Sequence, residues 1–149
     1  MTRAEFLARY GGVYEASPWV AEACWPPPDD LPAAMRAVVD AASREQKLAL
    51  IRAHPELASR TKMAEASVKE QADVGLDQCS PEEFEAFQRL NAAYNARFGF
   101  PFIYAVKGAT RAEILAAFEA RLENDPETEF VTAIAQIHRI AGFRLADLV

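Results

Sequence analysis

The residues best suited to acid–base chemistry lie between His54 and Gln71. The chain contains two histidines. His54 begins the sequence His-Pro-Glu-Leu-Ala, and Glu70 follows within the segment Ser-Val-Lys-Glu-Gln that ends at Gln71. An imidazole titrates near neutral pH, and a carboxylate beside it can take part in the same proton transfer. This stretch therefore brings a potential proton donor and a carboxylate close together in sequence.

Each of these residues also has a purely structural interpretation. Pro55 disfavours the α conformation for the residue before it, so a helix should end at His54. There the helix dipole favours the protonated imidazole, and backbone carbonyls are available as partners. Ser67 and Glu70 have the spacing of a capping box, in which each side chain bonds a backbone amide at a helix start. The spacing alone leaves both interpretations open.

Arg144 is a further candidate because of its position in the predicted last helix. Phe130, Ile134 and Ile137 recur on one face, and the same spacing reaches Arg144. A guanidinium on an apolar face must snorkel, pair with a carboxylate or hold an anion. The second histidine, His138, has apolar neighbours and no obvious acid partner, which favours a surface or partly buried structural role.

Helix-start signals position these residues. Two patterns are typical of a helix N-terminus. In one, a hydroxyl or carboxylate side chain is followed three residues later by an acid or amide side chain; in the other, it is followed directly by proline. Such signals stand at Thr2, Ser17, Ser43, Ser67, Ser80, Thr110 and Asp125, and a further pattern of helical spacing begins from Asp30. The apolar segment near residues 99–107 contains Pro101, so we expect an extended connector whose unpaired amides can face a ligand. We predict an all-α, single-domain bundle of about seven or eight helices over residues 1–149.

Composition limits the classes of function. At 149 residues, 51% hydrophobic and 26% charged, the chain is the size of one globular domain and is not disordered. The net charge of −6 argues against nucleic-acid binding, although one buried arginine can still hold a small anionic molecule. Cys24 and Cys79 are too few for a disulfide framework. With no long apolar segment, these features predict a cytoplasmic protein without a membrane partner.

The sequence also lacks the common signatures of cofactor and metal sites. We find no phosphate-binding glycine loop, no paired histidines or cysteines with metal-ligand spacing and no nucleophile elbow. We therefore expect no metal and no cofactor.

Taken together and in order, the motifs resemble the 2-oxo-4-hydroxy-4-carboxy-5-ureidoimidazoline (OHCU) decarboxylase family of urate degradation. The resemblance extends from Phe6 to the C-terminus. Its motifs are Gly12-Val-Tyr-Glu-Ala-Ser-Pro-Trp-Val-Ala21, His54-Pro-Glu-Leu-Ala58, Ser67-Val-Lys-Glu-Gln71, Asn91-Ala-Ala-Tyr94, Arg97-Phe-Gly-Phe-Pro-Phe-Ile103 and Arg144-Leu145.

The resemblance implies a carboxy-lyase with an all-α fold that is usually a homodimer. In that family CO2 leaves OHCU and the resulting carbanion is protonated on one face to give (S)-allantoin. His54 and Glu70 match the catalytic residues and Arg144 the substrate-binding arginine. The positions that match pocket-lining residues or main-chain substrate contacts are Pro55, Ser67, Gln71, Phe102 and Ile103. No cofactor is implied, because the substrate ring can take up the electron pair.

Two alternatives remain at this level. One is an enzyme of the same fold that acts on another ureido or imidazoline anion. The other is a helical binding protein without catalytic activity, although the intact set of His54, Glu70 and Arg144 argues against it. The catalytic interpretation also makes a geometric prediction, because His54 and Glu70 must lie within hydrogen-bonding reach, roughly 3 Å.

Overall fold

The described part of the chain is helical. A computed structural model describes residues 1–59 and 65–148, and over these residues it contains α-helices, one short 3₁₀ helix and no strand. The α-helices are α1 (Arg3–Tyr10), α2 (Trp19–Glu22), α3 (Leu31–Asp40), α4 (Arg44–Arg52), α5 (Glu65–Asp73), α6 (Pro81–Phe98), α7 (Arg111–Arg121) and α8 (Pro126–Asp147), with the 3₁₀ helix at Leu76–Gln78. These eight α-helices confirm the predicted fold class. No described helix is both long enough and apolar enough for a bilayer span.

Most predicted helix starts are confirmed as side-chain caps. In each case the side-chain oxygen accepts a hydrogen bond from the amide three residues on, which contributes about 1 kcal/mol to stability. The confirmed caps are Thr2, Ser43, Ser80, Thr110 and Asp125. Asp30, where only a helical pattern was predicted to begin, caps α3 in the same way. Ser17 is an exception, because its hydroxyl donates to the carbonyl of Glu15 while Pro18 stands before α2.

The predicted capping box at Ser67 and Glu70 is wrong. Both residues lie inside α5, which includes Glu65 and therefore starts before Ser67. The Ser67 hydroxyl donates to Glu15, and Glu70 pairs with Arg144. The three-residue spacing of a capping box is also the spacing of neighbours on one helix face, so the sequence pattern could not distinguish the two arrangements.

Helix α4 stops two residues before the predicted end at His54. Its last residue is Arg52, Ala53 is the C-cap, and the His54 N–H donates to the Ile51 carbonyl at 3.1 Å. His54 therefore lies just beyond the helix, next to Pro55, whose ring is incompatible with continued helix.

The core is built around the two longest helices. Helix α8 packs against α3, α4 and α6. Large side chains that are almost completely buried come from α1, α3, α4, α6, α7 and α8, and they include Phe6, Met35, Ile51, Phe87, Tyr94, Phe118 and Ile137. Arg144 lies near the C-terminal end of α8 and is buried.

The predicted extended connector is confirmed, since residues 101–106 have no regular structure. A buried ion pair holds it in place. Arg121 donates to the Ile103 carbonyl and to the Glu129 carboxylate, the latter at 2.8 Å, and Tyr94 donates to Glu129 at 2.6 Å. The Phe102 ring stacks on Phe118 with ring centroids 3.9 Å apart. Side chains, rather than a neighbouring strand, therefore fix the connector.

Removal of the charge on Glu129 tests this anchor. We expect Glu129→Gln to lower the free energy of unfolding by about 3–5 kcal/mol, because Arg121 would stay charged in a buried site without a counter-ion. The matched control Glu127→Gln removes one partner of the exposed pair with Arg44 and should cost less than about 1 kcal/mol. Urea unfolding measures both changes. Equal destabilisation of the two variants would contradict the proposed anchor.

Candidate functional site

One large cavity contains all the residues that the sequence predicted for the site. Its volume is about 940 Å³, which suits a small-molecule ligand. It lies between α1, α5, the C-terminal part of α8 and the connector. The predicted site residues that line it are His54, Pro55, Ser67, Glu70, Gln71, Phe102, Ile103 and Arg144. No three His, Cys, Asp or Glu side chains of the described segments are grouped so that they could hold a metal ion.

Arg144 is buried at the centre of a hydrogen-bond network. Its Nε and Nη2 atoms donate to the two carboxylate oxygens of Glu70 at 2.9 and 2.8 Å, a bidentate pair. Nη2 also approaches the Ser67 hydroxyl at 3.0 Å and a Glu15 oxygen at 3.3 Å. Of the possibilities that the sequence left open for Arg144, this structure shows pairing with carboxylates.

The remaining guanidinium donors bind the backbone of the α1–α2 loop. Nη1 lies 3.3 Å from both the Gly12 and the Val13 carbonyl oxygens. Burial disfavours the charged form of Arg144, but hydrogen bonds to Glu70 and the charges of Glu70 and Glu15 outweigh it and raise the pKa. Every N–H group of this guanidinium therefore has a protein partner, and the side chain is fixed in one orientation.

The surroundings of His54 favour the neutral imidazole. Its Nδ1 lies 2.9 Å from the Leu50 carbonyl oxygen, which can only accept, so Nδ1 carries the proton and Nε2 keeps its lone pair. Nε2 has no hydrogen-bond partner among the described residues. Burial lowers the pKa of His54, although the Leu50 bond and the charge of Glu15 act in the opposite direction. Desolvation therefore outweighs the contacts that favour the charged imidazole, which the sequence had predicted at this helix end.

The predicted contact between His54 and Glu70 is not found. Both carboxylate oxygens of Glu70 bind Arg144, and no hydrogen bond joins Glu70 to the imidazole. Two parallel charge-assisted bonds to a guanidinium are stronger than one bond to a neutral ring. Both oxygens of Glu70 are therefore committed to the arginine.

Glu15 is a member of this network that sequence reasoning missed. Its carboxylate accepts from the Ser67 hydroxyl at 2.7 and 3.1 Å, and its side chain is only 3% exposed. The one available signal was the presence of a carboxylate between apolar residues of the 12–21 motif, to which no role had been given. Its partners Ser67 and Arg144 lie 52 and 129 positions away in sequence.

Gln71 orders the loop that follows His54. Its side-chain oxygen accepts from the Ala58 N–H at 2.9 Å, and its amide group lies 3.3 Å from the Glu56 carbonyl oxygen. The Asn91 side chain donates to the Leu57 carbonyl at 3.0 Å in the same loop. These bonds stabilise the wall that carries His54 and Pro55.

Two residues of the connector that line the cavity, Phe102 and Ile103, have backbone N–H groups that make no hydrogen bond with any residue in the described ranges. Around them the chain is held by Arg121 at the Ile103 carbonyl and by Gln136, whose side-chain oxygen accepts from the Ala105 N–H at 2.9 Å. Fixed backbone donors of this kind can stabilise negative charge that develops on a substrate.

His138 has the acid partner that the sequence analysis did not identify. Its Nε2 lies 2.9 Å from an Asp40 carboxylate oxygen, and its Nδ1 lies 2.8 Å from the Tyr14 hydroxyl. Burial raises the pKa of Tyr14 to about 12, so its hydroxyl stays protonated. Of the surface or satisfied partly buried positions expected for His138, the structure shows an interior one with both ring nitrogens bonded. His138 thereby ties the α1–α2 loop to α3 and α8.

Comparisons with known proteins give a consistent result. A family model described as OHCU decarboxylase matches residues 1–146. A protein of Haloferax volcanii named 2-oxo-4-hydroxy-4-carboxy-5-ureidoimidazoline decarboxylase is 47% identical over 147 residues, which cover 95% of this chain and 88% of that protein. A crystal structure of (S)-allantoin synthase is 37% identical, with a TM-score of 0.80, over 100% of this chain and 51% of that one. A crystal structure of OHCU decarboxylase in the presence of (S)-allantoin is 25% identical, with a TM-score of 0.77, and the match covers 91% of this chain and 94% of that one.

The protonation state of His54 can be measured directly. We expect its imidazole to titrate below the ordinary value of 6.5 in an NMR pH titration, with the resonance assigned by its loss in His54→Asn. Because the unfolded chain then binds more protons than the folded one, the free energy of unfolding should fall as the pH drops through about 6.5. His54→Asn should lose this part of the pH dependence. A midpoint at or above 6.5 would contradict the buried, neutral imidazole.

Proposed function

This chain belongs to the OHCU decarboxylase family, and we propose that it converts OHCU into (S)-allantoin in urate degradation without a cofactor. The observation that carries this proposal is the set of residues that line the cavity. The residues His54, Glu70, Arg144, Phe102 and Ile103 all line the same space, where a neutral imidazole, a carboxylate–guanidinium pair and backbone N–H groups would be available to a substrate. A binding protein without catalytic activity would have no need for a buried base beside a displaceable carboxylate.

Substrate binding begins with an exchange at Arg144. Because all its N–H groups are occupied, an anionic substrate must displace a protein partner. Glu70 is the partner that can leave, since its side chain is 31% exposed whereas that of Glu15 is 3% exposed. The substrate then replaces one anion by another, and the released carboxylate is free to turn toward His54.

The chemical step uses His54 first as a base. Its neutral Nε2 accepts the proton of the substrate 4-hydroxyl group, the bond to the carboxylate breaks, and CO2 leaves. The electron pair remains in the conjugated ring, where the amides of Phe102 and Ile103 and the guanidinium of Arg144 stabilise the developing charge. His54 then returns its proton to the ring carbon that bears the ureido group. The ring nitrogen that received the electron pair takes up one further proton from solvent, which balances the loss of CO2 from a carboxylate, and delivery of the carbon-bound proton from one side gives one enantiomer.

The proposal also covers the oligomeric state of the protein and its cellular compartment. Cys24 and Cys79 are free thiols, as suits a reducing compartment, and we place the protein in the cytoplasm. Following the family resemblance, we expect a homodimer.

Turnover of OHCU is the direct test. We would generate OHCU from urate with the two preceding enzymes of the pathway, add this protein and follow the optical signal of (S)-allantoin. The wild-type protein should accelerate its formation, and His54→Asn should lose roughly 10²–10⁴-fold in kcat because no base remains. Circular dichroism checks that the variant is folded. No acceleration by the wild type over spontaneous decay would favour another ureido or imidazoline substrate or a binding role.

Arg144→Lys tests the proposed anion site. Lysine keeps the charge but cannot form the planar bidentate contact, so we expect KM to rise markedly while kcat changes less. Initial-rate kinetics with OHCU measure both parameters. An unchanged KM would remove Arg144 from substrate binding.

A further inference from the structure

Arg144 has two carboxylate partners that differ in accessibility and in position. Glu70 lies on α5 and is partly open to the cavity, whereas Glu15 lies in the α1–α2 loop and is almost completely buried. If Glu70 leaves Arg144 when substrate enters, a second anion must keep the guanidinium in place. A buried cation without a counter-ion would otherwise be strongly disfavoured.

Glu15 is bonded in a way that suits this task. It accepts from the Ser67 hydroxyl at 2.7 Å and from Arg144 at 3.3 Å, while Ser67 and Arg144 contact each other at 3.0 Å. The three side chains therefore form a closed, buried triangle. Neither Ser67 nor Arg144 can move far without losing a charge-assisted bond.

The loop that carries Glu15 is itself anchored. The Glu15 carbonyl accepts from the Ser17 hydroxyl at 2.9 Å, and the adjacent Tyr14 is fixed through His138 and Asp40. The Gly12 and Val13 carbonyls of the same loop bind the other side of the guanidinium. The loop therefore binds the Arg144 guanidinium through contacts that do not depend on Glu70.

We propose that Glu15 is a positioning residue, which holds Arg144 and Ser67 in the substrate-binding geometry while substrate takes the place of Glu70. The inference rests on the proposed function for the exchange step. The group formed by Arg144, Glu15, Glu70 and a neutral His54 has a net charge of about −1. This charge would repel an anion. With Glu15 fixed and Glu70 displaced, the guanidinium keeps one protein anion and has room for one substrate anion.

The first test compares kinetics of Glu15→Gln, which removes the charge but keeps the shape, with Glu15→Asp, which keeps the charge. We expect KM to rise roughly tenfold to a hundredfold in Glu15→Gln, a smaller loss in kcat, and partial rescue in Glu15→Asp. The control Glu22→Gln makes the same change in net charge at an exposed position of α2 and should behave as wild type. Equal defects in Glu15→Gln and Glu15→Asp, or a wild-type KM in folded Glu15→Gln, would overturn the proposal.

The second test does not need turnover. The charged groups that face His54 are Glu15, Arg144 and Glu70, and the negative charge of Glu15 favours the protonated imidazole. Glu15→Gln should therefore move the NMR titration midpoint of His54 to lower pH, whereas Glu22→Gln should not. An unchanged midpoint would contradict a charged Glu15 inside the site. Absence of OHCU turnover in the wild type would instead count against the proposed function, so the two failures are distinguishable.

Ser67→Ala carries the test if Glu15→Gln does not fold. It removes the shortest bond to Glu15 and leaves all charges in place. We expect a raised KM with the His54 midpoint little changed. Wild-type kinetics in this variant would show that the triangle does not position Arg144, and would overturn the proposal.

Discussion

The buried guanidinium of Arg144 is the constraint on which the cavity depends. A charge that cannot be neutralised by proton loss must find anionic or carbonyl partners inside the protein. Its partners come from the α1–α2 loop and from α5, while Arg144 itself comes from α8. Three segments that are distant in sequence therefore converge on one side chain. The polar wall of the cavity is the result of that convergence.

A second buried ion pair supports the opposite wall. Arg121 and Glu129 belong to α7 and α8, and they reach the connector through the Ile103 carbonyl. The ring of Phe102 stacks on Phe118, and the Arg121 guanidinium lies 4.4 Å from the centroid of the same Phe102 ring. The connector can thus leave backbone donors unpaired at the cavity, because its position does not depend on those donors.

The electrostatics of the two walls are matched to a reaction that consumes an anion. Burial favours the neutral form of His54, and its bond to Leu50 selects the tautomer whose Nε2 keeps a lone pair. The two carboxylates around Arg144 together over-neutralise its charge. In the proposed mechanism, substrate replaces the more exposed carboxylate, so binding would not separate a buried charge from all its counter-ions. The proposed exchange of charges would allow anion binding in a chain of net charge −6 without an accumulation of positive charge.

The sequence by itself determined the features that depend on local chemistry. Caps such as Ser43 and Ser80 bond amides three residues away, and helical spacing placed Arg144 on a buried face. The motifs identified the family. Only the tertiary structure decided the pairing of charges. Glu70 meets Arg144 across 74 positions and His138 meets Asp40 across 98, and no local pattern ranks such partners. The segment from Ser67 to Glu70 shows the reason, because one spacing serves equally for a helix cap and for two neighbours on a helix face that turn toward a distant charge.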